Sequence, residues 1–163
     1  MAAKTEIETR IDIPAKIREQ INVTLNQQLA DMFDLYSQTK QAHWNVKGSD
    51  FYQLHLLFDE LAAGILDKVD LLAERIKALG GVAMGTVHMA AQSSRLPEFP
   101  GRDVSSIASV EVLAVRYASV AETTRSAIVI ASERQDETTA NMLQDISALL
   151  DKDLWFLEAH LQK

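Results

Sequence analysis

The sequence predicts an all-α domain: a four-helix bundle with a short helix in the long connection between the second and third long helices. Three observations carry this. Apolar residues recur at steps of three and four over long stretches, the period of a helix buried on one face. Helix breakers are few, six glycines and three prolines in 163 residues, and they gather between those stretches. Hydrophobic residues make up 47% of the chain, enough for one core and too many for a disordered chain.

Residues 1–15 are polar, with Ile7, Ile11 and Ile13 alternating. They read as an N-terminal tail able to order on a neighbouring surface, ahead of a bundle domain over residues 16–163. The first helix begins after Pro14 and runs to about Val46, where Lys47-Gly48 stops it. Leu25, Leu29, Met32, Phe33 and Tyr36 fall at its helical spacing. Ser49-Asp50 offers a cap for the second helix, over about residues 51–79, which Gly80-Gly81 ends. Its core stripe is Leu54, Phe58, Leu61, Ile65, Val69, Leu72 and Ile76. The connection that follows holds Gly85, Pro97, Pro100 and Gly101 and is too long for a tight loop, so residues 87–92 read as a short helix. The third long helix covers about residues 109–134. After the acidic turn Gln135-Asp136-Glu137, Thr138 is the expected N-cap of the fourth, which runs to the C-terminus. Four long helices with one long middle connection make a bundle with a crossover.

Composition excludes several function classes. With no cysteine there is no disulfide scaffold, thiolate zinc site, iron–sulfur cluster or cysteine nucleophile. The 16 basic and 23 acidic residues leave a net charge of −7, which disfavours binding nucleic acid through overall charge. No signal peptide or apolar run of about 18 residues is present, so no membrane partner is expected and the expected location is the cytoplasm, with nucleoid association secondary.

The chemistry-bearing residues are histidines and acids on the second helix. His55 and Asp59 are spaced i, i+4 and share a face, and Asp70 and Glu74 repeat that spacing. The eleven residues from Asp59 to Asp70 make about three turns, so all four lie near one stripe, but the rise separates Asp59 from Asp70 by roughly 16 Å. A metal ion holds its ligands within about 2–2.5 Å, so one straight helix cannot bring the two pairs to one ion. Two copies can. The midpoint of positions 55 and 74 is 64.5, and so is that of 59 and 70. An antiparallel crossing of the helix with its own copy, centred between Gly64 and Ile65, sets His55 opposite the partner's Glu74 and Asp59 opposite the partner's Asp70. Gly64 would let the backbones approach, and His43 could join from the first helix. An i, i+4 acidic pair is usually a solvated face, and spacing alone leaves the two readings evenly matched.

The run His43-Trp44-Asn45-Val46-Lys47-Gly48, followed by Phe51, His55, Asp59, Asp70, Ala73-Glu74-Arg75 and Leu79-Gly80-Gly81, resembles the ferroxidase signature of the Dps family, the mini-ferritins. The segment from Leu150 to His160, with Trp155 and Glu158, resembles that family's last helix, and the similarity extends from about residue 20 to the end. The resemblance implies a ferritin-like bundle, assembled as a homo-dodecameric shell. It implies iron sites at two-fold interfaces, formed by His43, His55 and Asp59 of one chain with Asp70 and Glu74 of the next. It implies ferrous iron as substrate, hydrogen peroxide as the preferred oxidant over dioxygen, a stored ferric mineral, protection against oxidative stress, and no organic cofactor. Trp44 would be an aromatic beside the site open to oxidation, or an interface-packing indole, the two evenly matched. A three-fold pore near the start of the last helix would be lined by acids, here drawn from Glu133, Asp136, Glu137 and Asp145, while Asn141 stands where many relatives carry aspartate.

Several members of that family bind DNA through a lysine-rich tail. Here Lys4, Arg10, Lys16 and Arg18 are cancelled by Glu6, Glu8, Asp12 and Glu19, and Lys163 ends the chain with no basic extension. Twelve chains of −7 carry −84, so DNA binding is expected to be weak or absent. The competing readings are a nucleoid-compacting DNA-binding protein with little ferroxidase role, and a plain bundle without metal. A di-iron centre inside one bundle needs Glu-x-x-His motifs, and no glutamate here precedes a histidine by three. His88 and His160 read as surface or packing residues.

Overall fold

The computed structural model describes residues 8–101 and 105–162, and these contain helices and loops but no strand. In chain order they form α1 (Ala15–Asn45), α2 (Phe51–Ala78), α3 (Val87–Ser93), α4 (Ser106–Glu133) and α5 (Glu137–Ala159). The expected all-α bundle with a short helix in the crossover is what the chain forms. The third long helix begins three residues earlier than its apolar pattern suggests, because Ser105 caps it by accepting from Ala108 N. Ile7, Lys4, Glu6 and Lys163 lie outside the described residues.

The hydrogen bonds give the directions of the helices. Gln28 pairs with Thr124, and Thr39 with Tyr117, so α1 and α4 run antiparallel. Arg75 at the end of α2 meets Thr139 at the start of α5, and those two helices pack together. The connections of α1 to α2 and of α4 to α5 are short, whereas α2 reaches α4 by a crossover along the bundle. The core fills the centre: Leu25, Met32, Phe58, Ile65, Leu72, Leu113, Tyr117, Ile146 and Leu150 are fully buried or nearly so.

The crossover covers one side of α1, and this explains polar residues buried there. Asp31 is enclosed and receives Arg95 through its backbone N–H at 2.8 Å and its Nε at 2.9 Å. Ser94 Oγ donates to Asp34 at 2.6 Å, and Gln38 Nε2 donates to Pro97 O at 3.0 Å. The crossover is therefore fastened by side chains of α1 that satisfy its backbone.

Several sequence expectations need correction here. Ile11 and Ile13 do not await a neighbouring surface: both are half-buried against the core of their own chain, and Arg18 Nη1 donates to Ile13 O at 2.6 Å. Thr138 is not the N-cap of α5. Gln135 turns at φ 61°, a left-handed residue closing α4, and Asp136 becomes the cap, accepting from Thr139 N at 3.0 Å. Asp136 is then buried and paired with Arg75 Nη2 at 2.8 Å, so it is a structural anchor and cannot line a pore. Glu133, Glu137, Asn141 and Asp145 remain exposed. Asp50 does occupy the N-cap position of α2, but its side chain makes no capping bond and accepts instead from Ser49 Oγ at 3.1 Å.

No described helix is long and apolar enough to cross a membrane. The Arg75–Asp136 pair predicts a measurable asymmetry. Arg75→Met leaves a buried carboxylate uncompensated and should lower the unfolding free energy by about 3–5 kcal/mol. Arg125→Met breaks an exposed pair with Asp151 and should cost about 0–1 kcal/mol. Urea denaturation of both variants beside wild type measures the difference.

Candidate metal centre

The last turn of α1 and the first turns of α2 are brought together by the short connection 46–50, where Gly48 adopts φ 108°, a conformation disfavoured with a side chain. This hairpin stacks His43 on His55, ring centroids 3.9 Å apart and planes 20° apart, with Phe51 against the outer face of His55 at 5.1 Å. The two histidines lock each other. His43 Nδ1 lies 2.8 Å from His55 O, and His55 Nδ1 lies 3.0 Å from His43 O. A carbonyl oxygen only accepts, so each Nδ1 carries the hydrogen and donates. In the neutral rings each Nε2 is then left with a free lone pair. That is the tautomer a metal-binding imidazole needs, with its orientation fixed by backbone.

Asp59 stands one turn beyond His55 with its side chain more than half exposed, and its Oδ1 is 3.8 Å from His43 Nε2. Lys40, one turn before Trp44 on α1, places Nζ 2.6 Å from the same Oδ1 and 5.7 Å from the Trp44 ring centroid. The ammonium holds the Asp59 carboxyl below the usual carboxylate range, first through the hydrogen bond and then through its charge. Asp59 is thus kept ionised by a cation in the position where a metal would meet it. Trp44 is 68% exposed, packed on no core of its own chain.

Asp70 and Glu74 lie exposed further along α2, and the chain does not fold them towards the histidines. Among the described residues of one chain, no group of three or more histidine and acidic side chains is arranged to hold a metal ion. The two pairs of candidate ligands lie towards opposite ends of α2. The outward side of α2 also carries apolar side chains: Tyr52 and Leu56 are exposed near its start, and Leu66, with Ala63 beside it, between the two pairs. Gly64 does not play the part expected of it. A Cβ there would point at Leu149 of α5, 3.6 Å away in ordinary contact, so its bare side faces its own bundle. The residues on the outward face at the centre are Ala63 and Leu66, whose midpoint is again 64.5. The symmetry of the pattern survives while its central residue changes.

His88 is exposed, as is His160, whose Nδ1 contacts Phe156 O at 2.7 Å. Lys40 was missed from the sequence, although its place three residues before His43 on one helix puts it on the same face. Asp153 and Tyr117, two buried ionisable residues of the core, were also missed, because their apolar neighbours hide them in the pattern.

Comparison with known proteins agrees with this architecture. Residues 23–163 match the family model of the ferritin-like domain. The chain is 38% identical to the DNA protection during starvation protein of Agrobacterium fabrum over 156 residues, covering 95% of this chain and 96% of the relative. An archaeal Dps homologue from Halobacterium salinarum superposes with a TM-score of 0.92 at 31% identity, over 100% of this chain and 91% of that one. The Vibrio cholerae Dps protein, described as a member of a broad superfamily of ferritin-like diiron-carboxylate proteins, superposes with a TM-score of 0.88 at 25% identity, over 96% and 98% of the two chains. By sequence over nearly its whole length and by fold, this chain belongs to the Dps family of ferritin-like proteins.

Proposed function

We propose that the protein is a ferroxidase and iron-storage protein, oxidising Fe²⁺ with hydrogen peroxide, with dioxygen slower, at sites shared between two subunits. It keeps the ferric product as mineral inside a dodecameric shell and so protects against oxidative stress. The observation that carries this reading is the reciprocal His43–His55 lock, which fixes both imidazoles through Nδ1 and sets His43 Nε2 3.8 Å from Asp59. The partner's Asp70 and the partner's Glu74 complete the site when two copies of α2 cross antiparallel. The apolar strip of Tyr52, Leu56 and Leu66 supports such a contact, because water is an unfavourable neighbour for it.

Imidazole nitrogen and carboxylate oxygen suit Fe²⁺, and the absence of thiolate disfavours soft metals. Oxidation adds positive charge, which Asp59 and the partner's acids stabilise more than neutral ligands do. Two Fe²⁺ each give one electron to one peroxide, so the O–O bond breaks without release of hydroxyl radical. Lys40 holds Asp59 as an anion until iron takes its place. Trp44, exposed beside the site, is either an oxidisable neighbour or part of the interface. Nucleoid compaction is the competing function, and the balanced charges of residues 8–19 do not favour it.

Three outcomes test this. Replacing His43 and His55 together with glycine should slow peroxide-driven iron oxidation by at least about 10–100-fold while size exclusion still gives a twelve-chain mass. An unchanged initial rate removes these residues from the site. Lys40→Met should tighten anaerobic Fe²⁺ binding by up to about fivefold, the scale of an exposed ion pair. Weaker binding in that titration would show that Lys40 positions Asp59 rather than guarding it. In a gel shift at physiological salt and neutral pH the protein should leave duplex DNA unshifted, and nanomolar retention would favour the nucleoid reading.

A further inference from the structure

One layer of the core is polar. Thr39 of α1, Tyr117 of α4 and Asp153 of α5 are all buried there. Thr39 gives its hydroxyl hydrogen to Leu35 O at 2.8 Å, so in its 3.4 Å contact with Tyr117 the phenol is the donor. Asp153 is 4% exposed, and its Oδ2 is enclosed with no hydrogen-bond partner among the described residues. Burial pushes its carboxyl up to about 6; Glu60 on α2 pushes the same way and Lys152 on α5 opposes them. Burial holds the Tyr117 phenol protonated, and the Asp153 charge adds to this in a smaller measure. The groups facing Asp153 are thus Tyr117 from α4, Glu60 from α2 and Lys152 from its own helix.

An enclosed carboxylate without a partner costs stability, and a leucine could pack at that position without the cost. Its place suggests what offsets this. Glu60 adjoins Asp59 on α2, and Thr39, the acceptor of the Tyr117 hydroxyl, is one turn before His43 on α1, so the polar layer draws on the two helices that carry the candidate iron ligands. Oxidation there releases protons: 2 Fe²⁺ + H₂O₂ + 2 H₂O → 2 FeO(OH) + 4 H⁺. The two iron electrons break the peroxide O–O bond, and the four protons come from peroxide and water. The ligands are poor acceptors for them. Both Nδ1 atoms already carry hydrogen, and both Nε2 atoms and the Asp59 carboxylate are wanted by iron.

We propose that Asp153 is an internal proton acceptor for iron oxidation: its enclosed Oδ2 takes one of the four protons from the neighbouring site and passes it to solvent past the exposed Glu60. This rests on the ferroxidase reading above.

The assembled protein, loaded anaerobically with Fe²⁺, is mixed with peroxide in a stopped flow between about pH 5 and pH 8. Asp153→Asn should bind Fe²⁺ as wild type does, oxidise it about tenfold more slowly at neutral pH, and lose the rise in rate through the carboxyl's titration. Asp153→Glu should restore both. Without iron, wild type should melt at a lower temperature as pH rises from 3.8 to about 6, because the raised carboxyl is protonated in the folded chain and ionised in the unfolded one. Asp153→Asn should lack that part of the slope. An Asp153→Asn variant with wild-type rate and pH profile overturns the proposal. If that variant fails to assemble, infrared difference spectra of wild type decide: a protonated-carboxyl band rising with iron oxidation supports it, and its absence overturns it. Wild type that leaves Fe²⁺ unoxidised by peroxide overturns both this and the ferroxidase reading. Oxidation that proceeds at the wild-type rate and with the wild-type pH profile without Asp153 overturns this inference alone.

Discussion

The stiffness of α2 is the constraint on which the rest depends. A helix of 28 residues cannot bend its ends together, so acids placed at both ends of one face stay apart by the helix rise. The fold fixes each end by a different device. At the start, the His43–His55 carbonyl bonds tie α2 to α1 and set both imidazoles. At the end, Arg75 ties α2 to the α4–α5 turn through Asp136 and Thr139. Arg75 and Glu74 are neighbours in sequence but point opposite ways, Arg75 into its own bundle and Glu74 outward. A rigid rod with donors at both ends and an apolar centre is matched by a second copy of itself.

Buried charge is treated in two ways, and the contrast carries information. Asp31 receives the Arg95 guanidinium and backbone N–H, and Asp136 receives Arg75 and caps α5. Each has a partner that offsets its desolvation. Asp153 has no such partner for Oδ2. Buried polar groups are nearly always satisfied, so the exception is more informative than the two cases that follow the rule. The same distinction removes Asp136 from the acids available to a pore: an aspartate neutralised by arginine presents no field to an approaching cation.

The helices were legible because each long one carries a one-sided apolar stripe between breakers, and α3 because a segment of that length in a compact domain needs internal structure. The errors came where polar side chains chose partners across the fold. Thr138 looked like a cap from its position in sequence, but the left-handed turn at Gln135 brought Asp136 into the capping position, where Arg75, 61 residues away, could hold it. Ile11 and Ile13 looked unanchored because their packing on the core, and the Arg18 bond that fastens Ile13, are invisible to periodicity. In the candidate site, spacing alone picked out the two i, i+4 pairs on α2 and their common midpoint, and left a ligand set evenly matched with a solvated face. It could not give the tautomers, which depend on backbone carbonyls, or the rotation of Gly64 about the helix axis. That rotation turns its bare side to Leu149.

The symmetry of the outward face of α2 does not depend on Gly64. A glycine at a crossing is one residue and proves little, whereas the pairing of positions about 64.5 involves the whole outward face. Asp59 mirrors Asp70, Ala63 mirrors Leu66, and His55 mirrors Glu74. In an isologous contact every residue meets its mirror position, so a face built for a two-fold must suit itself under that exchange. Here the exchange puts a small side chain opposite a large one at the centre and imidazole opposite carboxylate at the flanks. Acid meets acid only at Asp59 and Asp70. Two carboxylates facing each other repel unless a cation lies between them. Within one chain Lys40 supplies that cation to Asp59; across the two-fold, a divalent ion would serve both acids at once. In the proposed crossing, the contact that would complete the site is therefore also one that iron would stabilise.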